Sequence, residues 1–141
     1  MEMVSIPAGD FIMGPETGYK NEQPQRRVFV DAYAIAKFPL TNIQYEAFLA
    51  ANPEHPQPKG WTDHRCPLGR ENHPVVFVNG ESAQVYARWL AGDTGIEFRL
   101  PTEAEWEKAA RATEGNIYPW GEAFDPGRCN TRESGPGIRP R

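Results

Sequence analysis

The chain has 141 residues, of which 14 are Pro and 13 are Gly, and its formal net charge is −4. Its hydrophobic fraction of 39% and aromatic fraction of 11% exclude a disordered chain, and the acidic balance argues against a nucleic-acid-binding face. No apolar run is long enough to cross a membrane. The length suits one globular domain, and the high Pro and Gly content predicts a turn-rich fold with few long helices.

The N-terminus and the cysteines bear on the cellular compartment. Residues 1–7 carry neither the basic segment nor the apolar run of a signal peptide. Cys66 and Cys129 are too few for a disulfide scaffold or for a zinc site of their own, and we expect two reduced, partly buried thiols. The sequence therefore predicts a cytoplasmic protein.

The first third of the chain has the pattern of short strands. Residues 4–14 predict two strands around a Pro-Ala-Gly-Asp turn, connected as a tight hairpin. Residues 15–24 are polar and predict a loop. Residues 27–35 are β-branched and aromatic with a period of two, which predicts a further strand.

The first helix has a clear start and stop. Thr41 followed by Gln44 predicts a capping box, and an i, i+3, i+4 stripe predicts burial of Tyr45, Phe48 and Leu49. Asn52 before a proline ends the helix. Residues 53–74 are proline-rich and predict a long irregular loop, for which Trp61 is a candidate clamp.

Two further helices follow a short strand predicted at residues 73–78. Asn79 is the expected cap of the second helix, and Gly92 is its expected end. Thr102 and Glu105 predict a capping box for the third helix. We expect the inner stripe of the third helix to consist of Trp106, Ala109 and Ala110.

Seven segments, taken in order, resemble the formylglycine-generating-enzyme family, also called the sulfatase-modifying-factor domain. They cover residues 6–14, 22–24, 40–48, 73–78, 83–90, 98–111 and 118–121. The most specific is the run Phe-Arg-Leu-Pro-Thr-Glu-Ala-Glu-Trp-Glu-Lys-Ala-Ala-Arg at residues 98–111. The resemblance implies an α+β fold related to the C-type-lectin-like fold, with much irregular backbone and few short helices.

The sequence departs from the family in two respects. Family domains are about twice this length, and the resemblance places the copper-binding cysteine pair of the oxidising members in a second half. Residues 1–141 therefore resemble the N-terminal portion of one domain, with residues 129–141 as a loop-like tail. Proteolytic cleavage in this tail, or an incomplete gene, would give a chain of this length. The Trp that usually follows the His-Pro-Val-Val-like strand is replaced by Asn79-Gly80.

The resemblance also implies a candidate structural calcium site. Asn130 and the carbonyl of Thr131 fall where family members place the first ligands of that ion, and hard oxygen ligands suit calcium. The remaining ligands would come from the missing half. The alternative is an ordinary polar turn after residues 125–127.

Three other groups of residues have a functional and a structural interpretation. Arg99, Glu103, Glu105 and Arg111 have the composition of an acid–base site, but we expect one Glu to cap the helix and another to pair with an arginine, and Glu107 to pair with Arg111 at the surface. His55, His64 and His73 are residues of a type that binds metals, but they are spaced nine residues apart in a proline-rich segment, and this spacing disfavours a metal site. Stacking on a ligand competes with core packing for Trp61, Trp89, Trp106 and Trp120.

The sequence leaves three functional hypotheses. The first is a non-catalytic binding or scaffold module that needs a C-terminal half as partner and displays loops to a protein or peptide ligand. The second is the N-terminal half of a copper-dependent oxidase that converts a sulfatase cysteine to formylglycine. The third is the non-haem iron, C–S-bond-forming branch found in ergothioneine biosynthesis, which ranks last because no His-rich helical domain precedes Met1.

Overall fold

The structure, a computed structural model, describes residues 1–14, 24–111, 123 and 125. These residues form four strands and three helices, and this confirms the predicted α+β class. The described residues divide into two units, one of residues 1–37 and 101–125 and the other of residues 38–100. None of the helices in the described part is both long enough and apolar enough to span a bilayer.

The first unit contains two antiparallel strand pairs. β1 (Met3–Ile6) pairs with β4 (Tyr33–Ala36), and β2 (Gly9–Met13) pairs with β3 (Arg26–Val30). Ile6 lies opposite Tyr33 and Gly9 lies opposite Val30, three residues further along each strand, so one register continues through both pairs. The four strands of the unit therefore form one long antiparallel ribbon that is interrupted once.

The predicted hairpin between the first two strands is wrong, and so is the single strand over residues 27–35. β1 and β2 lie end to end instead of side by side, and the predicted third strand is divided by Asp31 and Ala32. Pro7 lies at the interruption, and a proline has no N–H to donate to a strand ladder. The turn signal is real, but it marks the interruption of a ribbon.

One face of the β2–β3 pair forms a small core. The period of two along β2 buries Phe11 and Met13 on the same side as Val30. Ala104 of the helix α3 (Glu103–Arg111) packs against this cluster. The helix thus lies over the buried face of the pair.

The second unit is built around the helix α1 (Asn42–Ala51). Its capping box forms as predicted, because Thr41 Oγ1 accepts the Gln44 N–H and Gln44 Oε1 accepts the Thr41 N–H. Tyr45, Phe48 and Leu49 are fully buried, as the stripe predicts. Tyr86 from the helix α2 (Gly80–Thr94) stacks on Tyr45, with ring centroids 5.8 Å apart.

Residues 53–74 form an irregular loop that is anchored to this core. Trp61 is buried and meets Tyr45 edge to face at a centroid distance of 6.1 Å. The backbone N–H groups of Asn42 and Ile43 donate to the carbonyls of His73 and Glu71 near the end of the loop. The prediction that Trp61 clamps the loop is confirmed.

Two predictions about the second unit are wrong at their boundaries. Asn79 caps α2 as expected, but the helix continues past Gly92 to Gly95, whose φ of 72° supplies the left-handed C-cap. The strand predicted at residues 73–78 is reduced to a bridge between Thr41 and Pro74. Phe77 has a φ of 59°, which is incompatible with a continuous strand.

Candidate functional site

The most specific motif of the sequence, residues 98–111, leads into α3 and forms it. Its start is a capping box, since Glu105 Oε2 accepts the Thr102 N–H at 2.8 Å and Thr102 Oγ1 accepts the Glu105 N–H at 3.2 Å. The Tyr33 hydroxyl donates to the carbonyl of Glu105. Glu105 is therefore a structural cap, as predicted, whereas Glu103 is exposed in the first turn.

Lys108 is a buried cation that sequence reasoning missed. Lys108 is only 4% exposed, and its Nζ donates to the carbonyls of Pro7 at 2.7 Å and Gly9 at 3.1 Å. These carbonyls flank the interruption between β1 and β2. A buried ammonium group requires such acceptors, so Lys108 holds this part of the backbone against α3.

Glu107 and Arg111 bind the other end of β2. Glu107 Oε1 accepts the Gly14 N–H at 2.7 Å, and Arg111 Nη1 donates to the Gly14 carbonyl at 2.8 Å and to Glu107 Oε1 at 2.7 Å. The side chains of the pair are only 19% and 15% exposed. The sequence predicted a surface pair, but the pair is partly buried, and its carboxylate and guanidinium bind the N–H and the C=O of the same residue, Gly14.

We call Glu107, Lys108 and Arg111 the α3 clamp. One turn of helix thereby fixes both ends of β2, which is five residues long. Gly14 has a φ of 91°, a left-handed conformation in which a side chain would be strained, so glycine suits the point where the clamp binds. These three charged residues of the motif bind backbone groups of residues 7–14.

The predicted inner stripe of α3 is wrong. Trp106 is 62% exposed and Ala109 is also exposed, whereas the residues that face inward are Ala104, Glu105 and Lys108. Hydrophobicity marks the wrong face here because the buried face makes hydrogen bonds to backbone groups. The spacing of Glu105, Lys108 and Arg111 at i, i+3 and i+6 is the signal that could have found it.

A second polar cluster in the described residues joins α1 to the loop. Glu46 Oε2 accepts the Cys66 N–H at 2.7 Å, and Arg65 Nη1 lies 3.5 Å from Glu46 Oε1. Burial, followed by the hydrogen bond to Glu46, raises the pKa of the Cys66 thiol to about 11. Hydrogen bonds from Cys66 in turn lower the pKa of Glu46. Cys66 is thus a protonated thiol that helps to anchor the loop, and its pairing with Glu46 had no signal in the sequence.

A serine and a histidine also approach each other in the second unit. His55 Nε2 lies 3.0 Å from Ser82 Oγ, and the His55 ring meets Phe48 edge to face at 5.0 Å between centroids. Ser82 also hydrogen-bonds to Tyr45, whose pKa is raised chiefly by burial. Since the same hydroxyl links a loop residue, α1 and α2, the contact holds these elements together.

The structure brings few of the other predicted site residues together. No three His, Cys, Asp or Glu side chains are placed to hold a metal ion among residues 1–14 and 24–111. The three histidines thus do not form a metal site, and His73 Nδ1 is buried without a hydrogen-bond partner. Trp61 and Trp89 belong to the core, as expected. The predicted calcium ligands Asn130 and Thr131 lie outside the described residues, and so do Trp120, Cys129 and the tail.

The α3 clamp generates a stability prediction. Glu107→Gln keeps an acceptor for the Gly14 N–H but removes the negative charge that pairs with the partly buried Arg111, so we expect a loss of about 1–3 kcal/mol in the free energy of unfolding. Glu103→Gln removes the same charge from an exposed position of the same helix and should cost about 0.5 kcal/mol. Urea unfolding followed by circular dichroism measures both, and equal losses would contradict the clamp.

The Glu46–Cys66 contact generates a prediction about reactivity. Because only the thiolate reacts, a thiol of pKa about 11 should be alkylated by iodoacetamide at pH 8 about a hundredfold more slowly than a free cysteine. Glu46→Gln removes the negative charge beside the thiol, which lowers its pKa and should raise the rate severalfold. Peptide mass spectrometry distinguishes Cys66 from Cys129. The exposed Glu81→Gln variant should leave the rate unchanged, and an unchanged rate in Glu46→Gln would refute the assignment.

Comparison with known proteins places this geometry in a family. The sulfatase-modifying factor enzyme 1-like domain matches residues 1–138. The chain is 33% identical to the formylglycine-generating enzyme of Mycobacterium tuberculosis over 89% of its length, and 33% identical to the inactive C-alpha-formylglycine-generating enzyme 2 of Mus musculus over 91%. The structure of PvdO from Pseudomonas aeruginosa matches 89% of the chain with a TM-score of 0.70 and 31% identity.

The match covers only part of each relative. The chain spans 56% of the Mycobacterium tuberculosis protein, 53% of the Mus musculus protein and 52% of PvdO, which is about half of each. The resemblance found in the sequence is confirmed, while the relation to the C-type-lectin-like fold stays a prediction. The chain belongs to the formylglycine-generating-enzyme family, whose shared unit is the sulfatase-modifying factor enzyme 1-like domain.

Proposed function

We propose that residues 1–141 act as a non-catalytic binding and scaffold portion of a formylglycine-generating-enzyme-like domain. A C-terminal half of the same domain, in the same chain or in a separate one, completes the fold. The completed domain displays its loops to a protein or peptide ligand. In this account the residues described here hold the framework of the domain and carry out no chemical step.

The observation that carries the proposal is the use of the charged residues of α3. Glu107, Lys108 and Arg111 all bind backbone atoms of residues 7–14, and Glu105 caps its own helix. Catalytic acids and bases must reach a substrate, whereas these groups are occupied by the fold. The motif that most resembles the family therefore supports a structural role.

Cys66 points in the same direction. A cysteine that acts as a nucleophile or as a metal ligand does so as the thiolate, and the pKa of Cys66 is raised to about 11 by burial and by Glu46. Cys66 is also the only cysteine among the described residues, so these residues do not supply the cysteine pair that a copper site would need. Copper chemistry in the completed domain would need cysteines from the C-terminal half.

Two observations support completion by further polypeptide. The relatives are about twice as long as the region they share with this chain. In the first unit, Phe29 of β3 and Trp106 of α3 expose large apolar surfaces to solvent. Exposed apolar patches of this kind are typical of surfaces that another polypeptide covers.

The second candidate is the N-terminal half of a copper-dependent oxidase that acts on sulfatase cysteines. The identity of 33% to the Mycobacterium tuberculosis formylglycine-generating enzyme favours it. The same identity to the inactive Mus musculus protein favours the non-catalytic role. Both candidates assign the same framework role to residues 1–141, and they differ in what the C-terminal half contributes.

Turnover on a peptide tests the proposal. We expect residues 1–141, supplied with copper and oxygen, to leave the cysteine of a sulfatase-motif peptide unchanged, because no described residue offers a reactive thiolate. Mass spectrometry of the peptide detects the aldehyde product, and the Mycobacterium tuberculosis enzyme is the positive control. Conversion by the 141-residue chain would overturn the framework role. Conversion that occurs only when the C-terminal half is also present would select the oxidase.

A further inference from the structure

Phe77 combines two unfavourable features. Its φ of 59° lies in the left-handed region, where a bulky side chain is strained. Its residue surface is also 71% exposed, so an aromatic ring faces water. Neither feature stabilises the second unit, residues 38–100. A strained backbone conformation of this kind persists only where the surrounding structure imposes it.

The backbone on both sides of Phe77 is firmly held. The Val75 N–H donates to the Leu40 carbonyl at 2.9 Å, and Val75 and Val78 pack on the core of the second unit. Asn79 accepts the Ser82 N–H at 2.8 Å and caps α2. Val76 and Phe77 therefore project outward between two fixed points.

The projecting residues also have unused backbone groups. Within the described part of the chain, no hydrogen bond is formed by the backbone N–H or C=O groups of Val76 and Phe77. A Cβ placed on Gly80, at the start of α2, would meet no atom within 4 Å apart from its chain neighbours and the backbone of its own helix. Exposed apolar side chains beside unpaired backbone groups are the features that an added polypeptide segment uses.

We propose that residues 75–78 are a docking segment for the C-terminal half of the same domain. Phe77 inserts into an apolar pocket of that half, and the backbone groups of Val76 and Phe77 hydrogen-bond to it. This inference rests on the proposed function, which supplies the C-terminal half. A permanent contact within one domain explains the strained backbone better than a passing ligand, because the contact is present whenever the protein is folded.

The test compares residues 1–141 alone with a longer protein that contains residues 1–141 and the C-terminal half of the domain. Phe77→Asn introduces a residue that tolerates the left-handed region, which relieves the backbone strain. The polar Asn side chain can no longer fill an apolar pocket. We expect it to raise the melting temperature of residues 1–141 by a few degrees and to lower that of the longer protein. Leu68→Asn is the matched control, since Leu68 is 96% exposed in the same unit and lies outside the segment; it should shift both proteins alike.

An upward shift in both proteins, or equal effects of Phe77→Asn and Leu68→Asn, would overturn the docking segment. Amide hydrogen exchange gives a second measurement that needs no variant. We expect the Val76 and Phe77 amides to exchange rapidly in residues 1–141 and at least a hundredfold more slowly in the longer protein. Rapid exchange in both would overturn the docking segment and leave the proposed function intact. A gene product that ends at residue 141 and melts cooperatively as a monomer would overturn both.

Discussion

The first unit depends on a helix that holds a strand by its ends. Among the described residues its apolar core is small, and the buried members are Phe11, Met13 and Val30. The α3 clamp adds charge-assisted hydrogen bonds from Glu107, Lys108 and Arg111 to the backbone around β2. Hydrogen bonds to charged groups contribute about 1.5–3 kcal/mol each when they are shielded from water. Both ends of a five-residue strand are thus fixed by side chains of one helix.

This arrangement gives the most specific motif of the chain a structural meaning. Glu107, Lys108 and Arg111 bind backbone groups, so a catalytic protein and a non-catalytic one can use the motif equally well. The equal similarity to a relative named as an enzyme and to one named as inactive is consistent with that role. In the second unit, a charged side chain also binds a backbone group, because the ionised carboxylate of Glu46 holds the loop by accepting the Cys66 N–H. Polar residues that resemble a site are here part of the framework.

Local signals in the sequence predicted local structure well, and long-range pairing less well. The capping boxes at Thr41 and Thr102 and the buried stripe of α1 follow from rules that involve neighbouring residues. The ribbon pairing of β1 with β4 did not follow, because the turn at Pro7 is equally compatible with a hairpin and with an interruption. The inward face of α3 was missed because its partners are backbone atoms about a hundred residues away. The Glu46–Cys66 contact likewise joins residues whose proximity only the fold creates.

The amide of Gly14 offers the most direct measurement of the clamp. Its N–H group lies just beyond the end of β2 and donates to Glu107 Oε1 at 2.7 Å. In native-state hydrogen exchange, this amide should be as protected as the amides within the β2–β3 ladder, and Glu107→Ala should remove its protection while the ladder keeps most of its own. Rapid exchange of the Gly14 amide in the unmodified protein, or protection that survives Glu107→Ala, would contradict the account.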